Sequence, residues 1–441
     1  MPTKLLLSTI LCSTIVLAQE VHNHDETFEH TTVEFKKHLH PVEEKTAEHS
    51  KFTPEILVLL DSSFVNRSIS DDEVQHLEIP GVVHGLLGAD THTQHSHTPY
   101  NANNGFNLNY GELILSGSVN SHLSLDTVFH FSESAVAIDE AYFTSTALEH
   151  GSQIKGGKFL SGFGYLNKQH HHQWDFADMP LVYESFLGMH GINEKGLQLQ
   201  WTAPTSNYLM FGFEALQGEN EYMFANTTIG DVEDPLVEVS DAPSLFLGYI
   251  KTSFDIKNTT LLTGLSYAKG ISKLDHLEDE SPYAFSGTSK LYGAEFVLKH
   301  KIDLYRYVTW QSEWLSRDME GQEYSNVDTS VLPFTYTQAT LSKKQSGLYS
   351  QLVYGHNKNW IMALRYDLIY QNDVRSNGVD ENLEDNFRKY SAMIEYRSSE
   401  LAKFRLQYNR NEALFNEDGN RQNIDTIIVQ ANISVGAHDS H

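Results

Sequence analysis

The sequence predicts an all-β fold, a transmembrane antiparallel β-barrel of about sixteen strands with no plug domain, on three observations. Short runs alternate apolar and polar residues with a period of two, as a strand between oil and water must. Tight connections alternate with long ones, as in a barrel with turns at one end and loops at the other. Apolar residues are only 40% of the chain while Tyr and Phe number 22 and 23, a composition suited to amphipathic strands. Mean hydropathy is −0.39, and after the N-terminus no run approaches the ~18–20 apolar residues of a membrane helix.

Residues 1–18 read as a signal peptide: Lys4, an apolar stretch from Leu5 to Leu17, and a small-residue end at Val16-Leu17-Ala18. Cys12, the single cysteine, lies inside that stretch and Leu11 precedes it, so neither lipidation nor a disulfide framework is expected. Residues 19–54 lack an apolar period and carry His22, His24, His30, His38, His40 and His49, which predicts a flexible periplasmic leader. The barrel is expected over 55–441.

The expected strands are 55–66, 108–120, 122–132, 137–148, 152–160, 195–203, 208–217, 244–255, 259–270, 288–303, 305–319, 343–356, 359–371, 387–398, 402–413 and 423–436. Alternation is clearest at the end, where Ile427, Val429, Ala431, Ile433 and Val435 share one face. Trp360, Met362, Leu364, Tyr366, Leu368 and Tyr370 do the same, with Arg365, Asp367 and Gln371 opposite. Leu123, Leu125, Phe129 and Phe131 oppose His122, Ser124, Asp126 and His130. Strands 137–148, 152–160 and 244–255 alternate poorly. Sixteen strands enclose an aqueous lumen, and the 36 residues between Ala18 and the first strand are too few for a folded plug, so an open channel is expected. Both termini then face the periplasm, in the outer membrane of a Gram-negative bacterium.

The 58 acidic against 31 basic side chains give a formal charge of −27, or −28 once Lys4 leaves with the signal peptide, which excludes a nucleic-acid partner. There is no GxSxG, no HExxH and no cysteine nucleophile in the mature chain, so no enzyme is expected.

The chemistry is densest in 161–194, where GYLNKQHHHQWDFADMPLVYESFLG runs from Gly164. This run, with GFNLNYGELILSG, IDEAYF and GLQLQWTAPT, resembles the zinc-regulated outer-membrane proteins often labelled TonB-dependent receptors. The resemblance covers most of the N-terminal half; the C-terminal half matches in texture only. It implies an outer-membrane barrel with a His-rich leader, linked to zinc acquisition and similar in architecture to phosphate-selective porins. The chain departs from outer-membrane barrels that end on an aromatic residue, since it closes Gly436-Ala437-His438-Asp439-Ser440-His441. No segment better than Thr31-Thr32-Val33 resembles a TonB box, which leaves a TonB contact without support.

Imidazoles and carboxylates are zinc ligands, and three or four must converge at ~2.0–2.2 Å. Two of His170, His171 and His172 with Asp175 or Asp178, or with His92, His95 or His97 of the first long loop, form the expected set for loosely bound or transported zinc, with no structural cofactor. The alternative is a solvated loop whose histidines bond locally, with Asp175 and Asp178 bracing it. At an ordinary pKa of ~6.5 these histidines are expected neutral near pH 7. Expected pore-lining residues are Glu112, Asp126, His130, Glu214, Glu295 and Glu313 early and Arg365, Asp367, Lys389, Arg397, Lys403 and Arg405 late. Such separation sets a transverse field or, alternatively, braces the wall by ion pairs. Loop 218–243 carries Glu219, Glu221, Asp231, Glu233, Asp234, Glu238 and Asp241 without Lys or Arg, either a cation-concentrating vestibule or a surface for lipopolysaccharide held through divalent ions. Transport of divalent metal, chiefly zinc, is the first reading; an anion or phosphate porin and a non-conducting metal-binding barrel are the others. Lipid, lipopolysaccharide, divalent metal and further copies of the chain are the expected partners.

Overall fold

The computed structural model describes residues 54–82, 100–133, 135–145, 148–278, 282–416 and 418–436. Sixteen long strands among them form one closed antiparallel barrel. They are β1 (Glu55–Arg67), β2 (Gly105–Asn120), β3 (Leu123–Phe131), β4 (Val136–Ser145), β5 (Ser152–Leu160), β6 (Asn193–Thr202), β7 (Tyr208–Leu216) and β8 (Leu245–Ile256). The second half comprises β9 (Thr259–His276), β10 (Tyr283–Lys301), β11 (Tyr307–Asp328), β12 (Thr335–Gly355), β13 (Trp360–Ser376), β14 (Phe387–Ser399), β15 (Ala402–Phe415) and β16 (Arg421–Gly436). Each pairs with its sequence neighbour, and β1 pairs with β16 from Leu57↔Gly436 to Arg67↔Thr426, which leaves no free edge. Two short helices, α1 (Asp71–Gln75) and α2 (Leu181–Leu187), lie in the long loops.

Alternation drives the closure. On β16, Ile427, Val429, Ile433 and Val435 are exposed on the outer face, while Gln430 and Asn432 are buried inside. Similar outward rows on β2 to β15 give the wall a continuous apolar outer surface, including Leu197, Leu199, Trp201, Phe213, Leu265, Leu352 and Leu364. A closed barrel that is apolar outside and polar inside is the form in which strands cross a bilayer with every backbone group paired. The chain is an outer-membrane barrel of a Gram-negative cell.

Two expectations are corrected. Strands β9 to β13 run 17 to 22 residues, so much of 271–287, 320–342 and 372–386 is strand rather than loop. Beyond the ~9–11 residues that cross the bilayer both faces are wet, and the apolar alternation that marks a strand in sequence fades. Gln371 does not share the face of Arg365 and Asp367. The ladder slips between Ser346 and Gly347, and beyond the slip Asn372 and Val374 face inward while Gln371 bonds Ser346 and Asp373 at the outer side.

The lumen is not open as expected. No separate plug domain is present among the described residues, but residues 161–192 fold into the barrel. Phe163, Leu181, Val182, Tyr183 and Phe186 of this loop are fully buried against Leu291, Leu315, Tyr349, Ile369 and Phe387 of the wall. Burying that apolar surface drives the loop inward, and alternation read strand by strand could not foresee lumenal apolar partners.

Candidate functional site

The loop's histidines reach the wall through a short 3₁₀ turn, His171–Gln173, with Gln173 N–H donating to His170 O at 2.9 Å. The turn sends His170 and His172 to one side, their rings stacked 5.5 Å apart, and His171 to the other. His171 Nδ1 lies 3.0 Å from Tyr110 Oη, its ring stacked at 4.1 Å on Tyr100. His171 is a packed core residue and does not join its neighbours.

On the wall, β2 presents Glu112 and β4 presents two adjacent carboxylates. In the β3–β4 ladder Val128 pairs with Glu140 and Phe129 with Ile138, which leaves Asp139 as a bulge residue. The bulge lets Asp139 and Glu140 both approach the loop, where an unbroken strand would send them to opposite faces. His170 Nε2 sits 3.0 Å from Glu140 Oε2, His170 Nδ1 3.9 Å from Asp139 Oδ2, and His172 Nδ1 3.1 Å from Glu112 Oε2. One ligand atom each of Glu112, Asp139 and His170 lies within 4.8 Å of the others, and the buried His172 Nε2 has no hydrogen-bond partner. Glu112, Asp139 and His170, with Glu140 paired to His170 and His172 paired to Glu112, are of the donor types that a divalent cation takes.

Burial works against a charge on His170, but the Glu140 carboxylate outweighs it and pushes the imidazole up to about 9. The expectation of a neutral imidazole near pH 7 is therefore corrected for His170, which carries a proton that a metal must displace. Burial holds His172 below its ordinary range despite Glu112, and lowers His171 too.

Asp175 and Asp178 are not brought to this cluster. Asp175 accepts from Gln351 Nε2 at 2.8 Å. Asp178 pairs with Arg365 at 2.9 Å and Lys389 at 2.5 Å; burial alone would raise its carboxyl, and these two cations hold it well below the carboxylate range. His92, His95, His97 and the leader histidines lie outside the described residues.

The expected pore-lining residues do face inward, yet most of them clamp the loop. Glu214 accepts from Ser161 Oγ at 2.6 Å and Gly162 N–H at 2.8 Å. Glu313 accepts from Tyr165 N–H at 2.7 Å, Leu166 N–H at 3.0 Å, and the hydroxyls of Tyr183 at 2.7 Å and Tyr349 at 2.5 Å. Glu295 pairs with Lys251 at 3.2 Å, and Lys251 also donates to Gly164 O. Asp367 accepts from Leu181 N–H at 3.0 Å and holds Arg365; Arg405 joins Glu395 at 2.6 Å to Trp174 O at 2.8 Å, and Lys403 donates to His172 O. Bracing by ion pairs thus accounts for most of the late basic cluster. His130 is buried edge-on to Tyr110, and Asp126 is half-buried on β3. In the 218–243 loop Glu219 pairs with Lys195 at 2.6 Å, while Asp231, Glu233, Asp234, Glu238 and Asp241 are exposed.

Asp139 and Glu140 were missed from sequence. Their one signal was the poor alternation of 137–148, where two adjacent acids in a spanning strand ask for a bulge.

Comparison with known proteins gives no match to any family model. Among solved structures, the chain is similar to a loop L8 deletion mutant of OmpT, an outer membrane protein of Vibrio cholerae, at TM-score 0.49 and 10% identity over 88% of this chain and all (100%) of that one. The outer membrane channel DcaP of Acinetobacter baumannii aligns at TM-score 0.48 and 10% identity, covering 87% and 97% of the two chains. An anion-selective porin from Comamonas acidovorans aligns at TM-score 0.48 and 8% identity, covering 87% and 100%. In sequence, an uncharacterized protein of Aquifex aeolicus is 43% identical over 391 residues, 88% of this chain and 80% of that protein. With its closed, loop-filled barrel of sixteen long strands, the chain belongs to the family of that Aquifex aeolicus protein.

Proposed function

We propose that this barrel is an outer-membrane channel that captures divalent metal, zinc foremost, at Glu112, Asp139 and His170, with Glu140 and His172 beside them. The observation that carries the reading is the convergence of these donors from two strands and the infolded loop, within 4.8 Å for the first three. The metal is cargo, so the site holds it at micromolar or weaker affinity: a channel must release what it binds. The formal charge of −28 favours cations over anions at the mouth. The apolar outer wall meets lipid, the loop rim meets lipopolysaccharide, and further copies of the chain are its expected neighbours in the membrane.

Calorimetry with zinc chloride at pH 7.5 tests the site, on protein with and without residues 19–54. The His170→Ala/His172→Ala double variant is expected to lose the binding that remains after the leader is removed. Unchanged binding would leave the histidines as ordinary loop residues. A salt-gradient reversal potential tests the selectivity. An anion-side potential would promote the second reading, an anion porin. Absence of conductance would leave a metal-binding barrel, a reading that the packed loop supports.

A further inference from the structure

On the outer wall, lysines face each other across two strand pairs. Lys158 of β5 is the ladder partner of Lys195 of β6, and Lys269 of β9 is the ladder partner of Lys290 of β10. Like charges directly opposite in a sheet repel, their Cβ atoms being about 4.5–5.5 Å apart. The first pair is satisfied within the chain: Lys158 donates to Ile138 O at 2.9 Å, and Lys195 pairs with Glu219 at 2.6 Å. The second is not. Among the described residues neither Lys269 nor Lys290 makes a hydrogen bond or an ion pair, and Asp318, the other ladder partner of Lys290, forms none with it.

Both lysines point outward: Lys269 shares its face with Leu265 and Tyr267, and Lys290 with Tyr292, all exposed on the wall. Counted from the turn-end residues Thr259 and Lys301, the ~9–11 residues that cross a bilayer end near Lys269 and Lys290. Directly below them, Tyr267 and Tyr292 are ladder partners too, with ring centroids 5.2 Å apart, as in the aromatic girdle of a membrane edge. Phe246 of β8 flanks Lys269 on its other side, exposed outward and stacked on Phe213. The two ammonium groups therefore stand at headgroup height on the loop side, above an apolar wall that acyl chains cover.

An unpaired cation pair at headgroup height, over an aromatic shelf, calls for an anion carried by a lipid. We propose that Lys269 and Lys290 bind a phosphate group of a phosphorylated glycolipid in the outer leaflet. Two ammonium groups hold a phosphate by charge-assisted hydrogen bonds, stronger than their neutral counterparts. A phosphate monoester carries close to two negative charges at neutral pH, where the phosphodiester of a common phospholipid carries one, so a pair of lysines favours the monoester. Asp318, facing outward beside Lys290, offers an acceptor to a sugar hydroxyl. The proposal rests on the outer-membrane reading of the wall and is independent of the metal site.

The test uses the purified full-length protein in detergent, with lipid A bearing two phosphate monoesters as the probe and native mass spectrometry as the readout. The wild type is expected to retain the lipid. Lys269→Gln/Lys290→Gln should lower lipid A affinity by about tenfold or more, with each single variant intermediate. Lys158→Gln/Lys195→Gln, which removes the pair already partnered, should bind as the wild type does. Phosphatidylglycerol, a phosphodiester, should bind more weakly, and inorganic phosphate at millimolar concentration should not displace the lipid. Heat-modifiable gel migration checks folding, and the single variants carry the test if the double variant does not fold. Equal lipid A affinity in wild type and the Lys269 and Lys290 variants overturns the proposal, as does an equal loss in Lys158→Gln/Lys195→Gln. Phosphatidylglycerol binding as tightly as lipid A also overturns it, and so does displacement by inorganic phosphate, since the pair would then read charge alone. Flotation with phosphatidylethanolamine vesicles keeps the failures apart: protein that floats but ignores lipid A sinks this site alone, whereas protein that does not float sinks the membrane reading with it.

Discussion

His170 of the infolded loop lies 3.0 Å from Glu140 of β4, and the bulge at Asp139 is what makes that approach a cluster rather than a single ion pair. Asp139 also accepts from Asn193 Nδ2 at 2.9 Å, so its carboxylate is fixed from a second strand. Asp139→Ala is expected to lower zinc affinity by about tenfold or more while leaving the barrel folded. Calorimetry and heat-modifiability measured together separate loss of the site from loss of the fold; wild-type affinity in the variant would remove Asp139 from the ligand set.

Glu313 holds the loop to β11 by three loop donors, the Tyr165 and Leu166 N–H groups and the Tyr183 hydroxyl, and also accepts from the Tyr349 hydroxyl of the neighbouring strand β12. Glu313→Ala leaves those donors unsatisfied, and each orphaned buried group costs about 1–3 kcal/mol. The expected outcome is a lower unfolding temperature and larger, noisier single-channel currents as the loop undocks. Glu313→Gln, which still accepts hydrogen bonds, should lose less on both measures.

Gly164 adopts φ +62°, and a Cβ there would collide with the Tyr183 hydroxyl and the Glu313 carboxylate. Glycine takes this conformation freely, whereas alanine pays for both the backbone strain and the clash, together about 1–3 kcal/mol. Gly164→Ala should therefore resemble Glu313→Ala in channel noise. Equal currents in variant and wild type would show that the loop re-seats without this turn.

Glu184 on α2 is pushed up to about 7 by burial, with Lys389 4.0 Å away opposing the shift. A carboxyl raised in the folded state adds stability that is complete below its unfolded value of about 4.5 and is lost as the pH rises through about 7. Loop docking should thus be firmest in mild acid, and the unfolding temperature should fall between pH 5 and pH 8. Glu184→Gln should flatten that fall; an identical pH profile in the variant would assign the dependence to other groups.

The sequence by itself determined the wall of this protein. Outward Ile427, Val429, Ile433 and Val435 and inward Gln430 and Asn432 are legible because a strand in a bilayer reads its two solvents residue by residue. The strand number followed from the same local pattern, as did the inward placement of Glu214, Glu313, Arg365 and Arg405. Tertiary structure alone decided what fills the lumen. Whether Phe163 and Phe186 seek the wall or Asp178 seeks Arg365 and Lys389 depends on groups more than a hundred residues away. The same holds for the histidines. Adjacent in sequence, His170 and His171 part company because a 3₁₀ turn sends one to Glu140 and the other to Tyr110, while a bulge of one residue aims Asp139 and Glu140 at the same point. Neither the turn's orientation nor the bulge has a periodic signature, since each is set by the partner it meets inside the closed barrel.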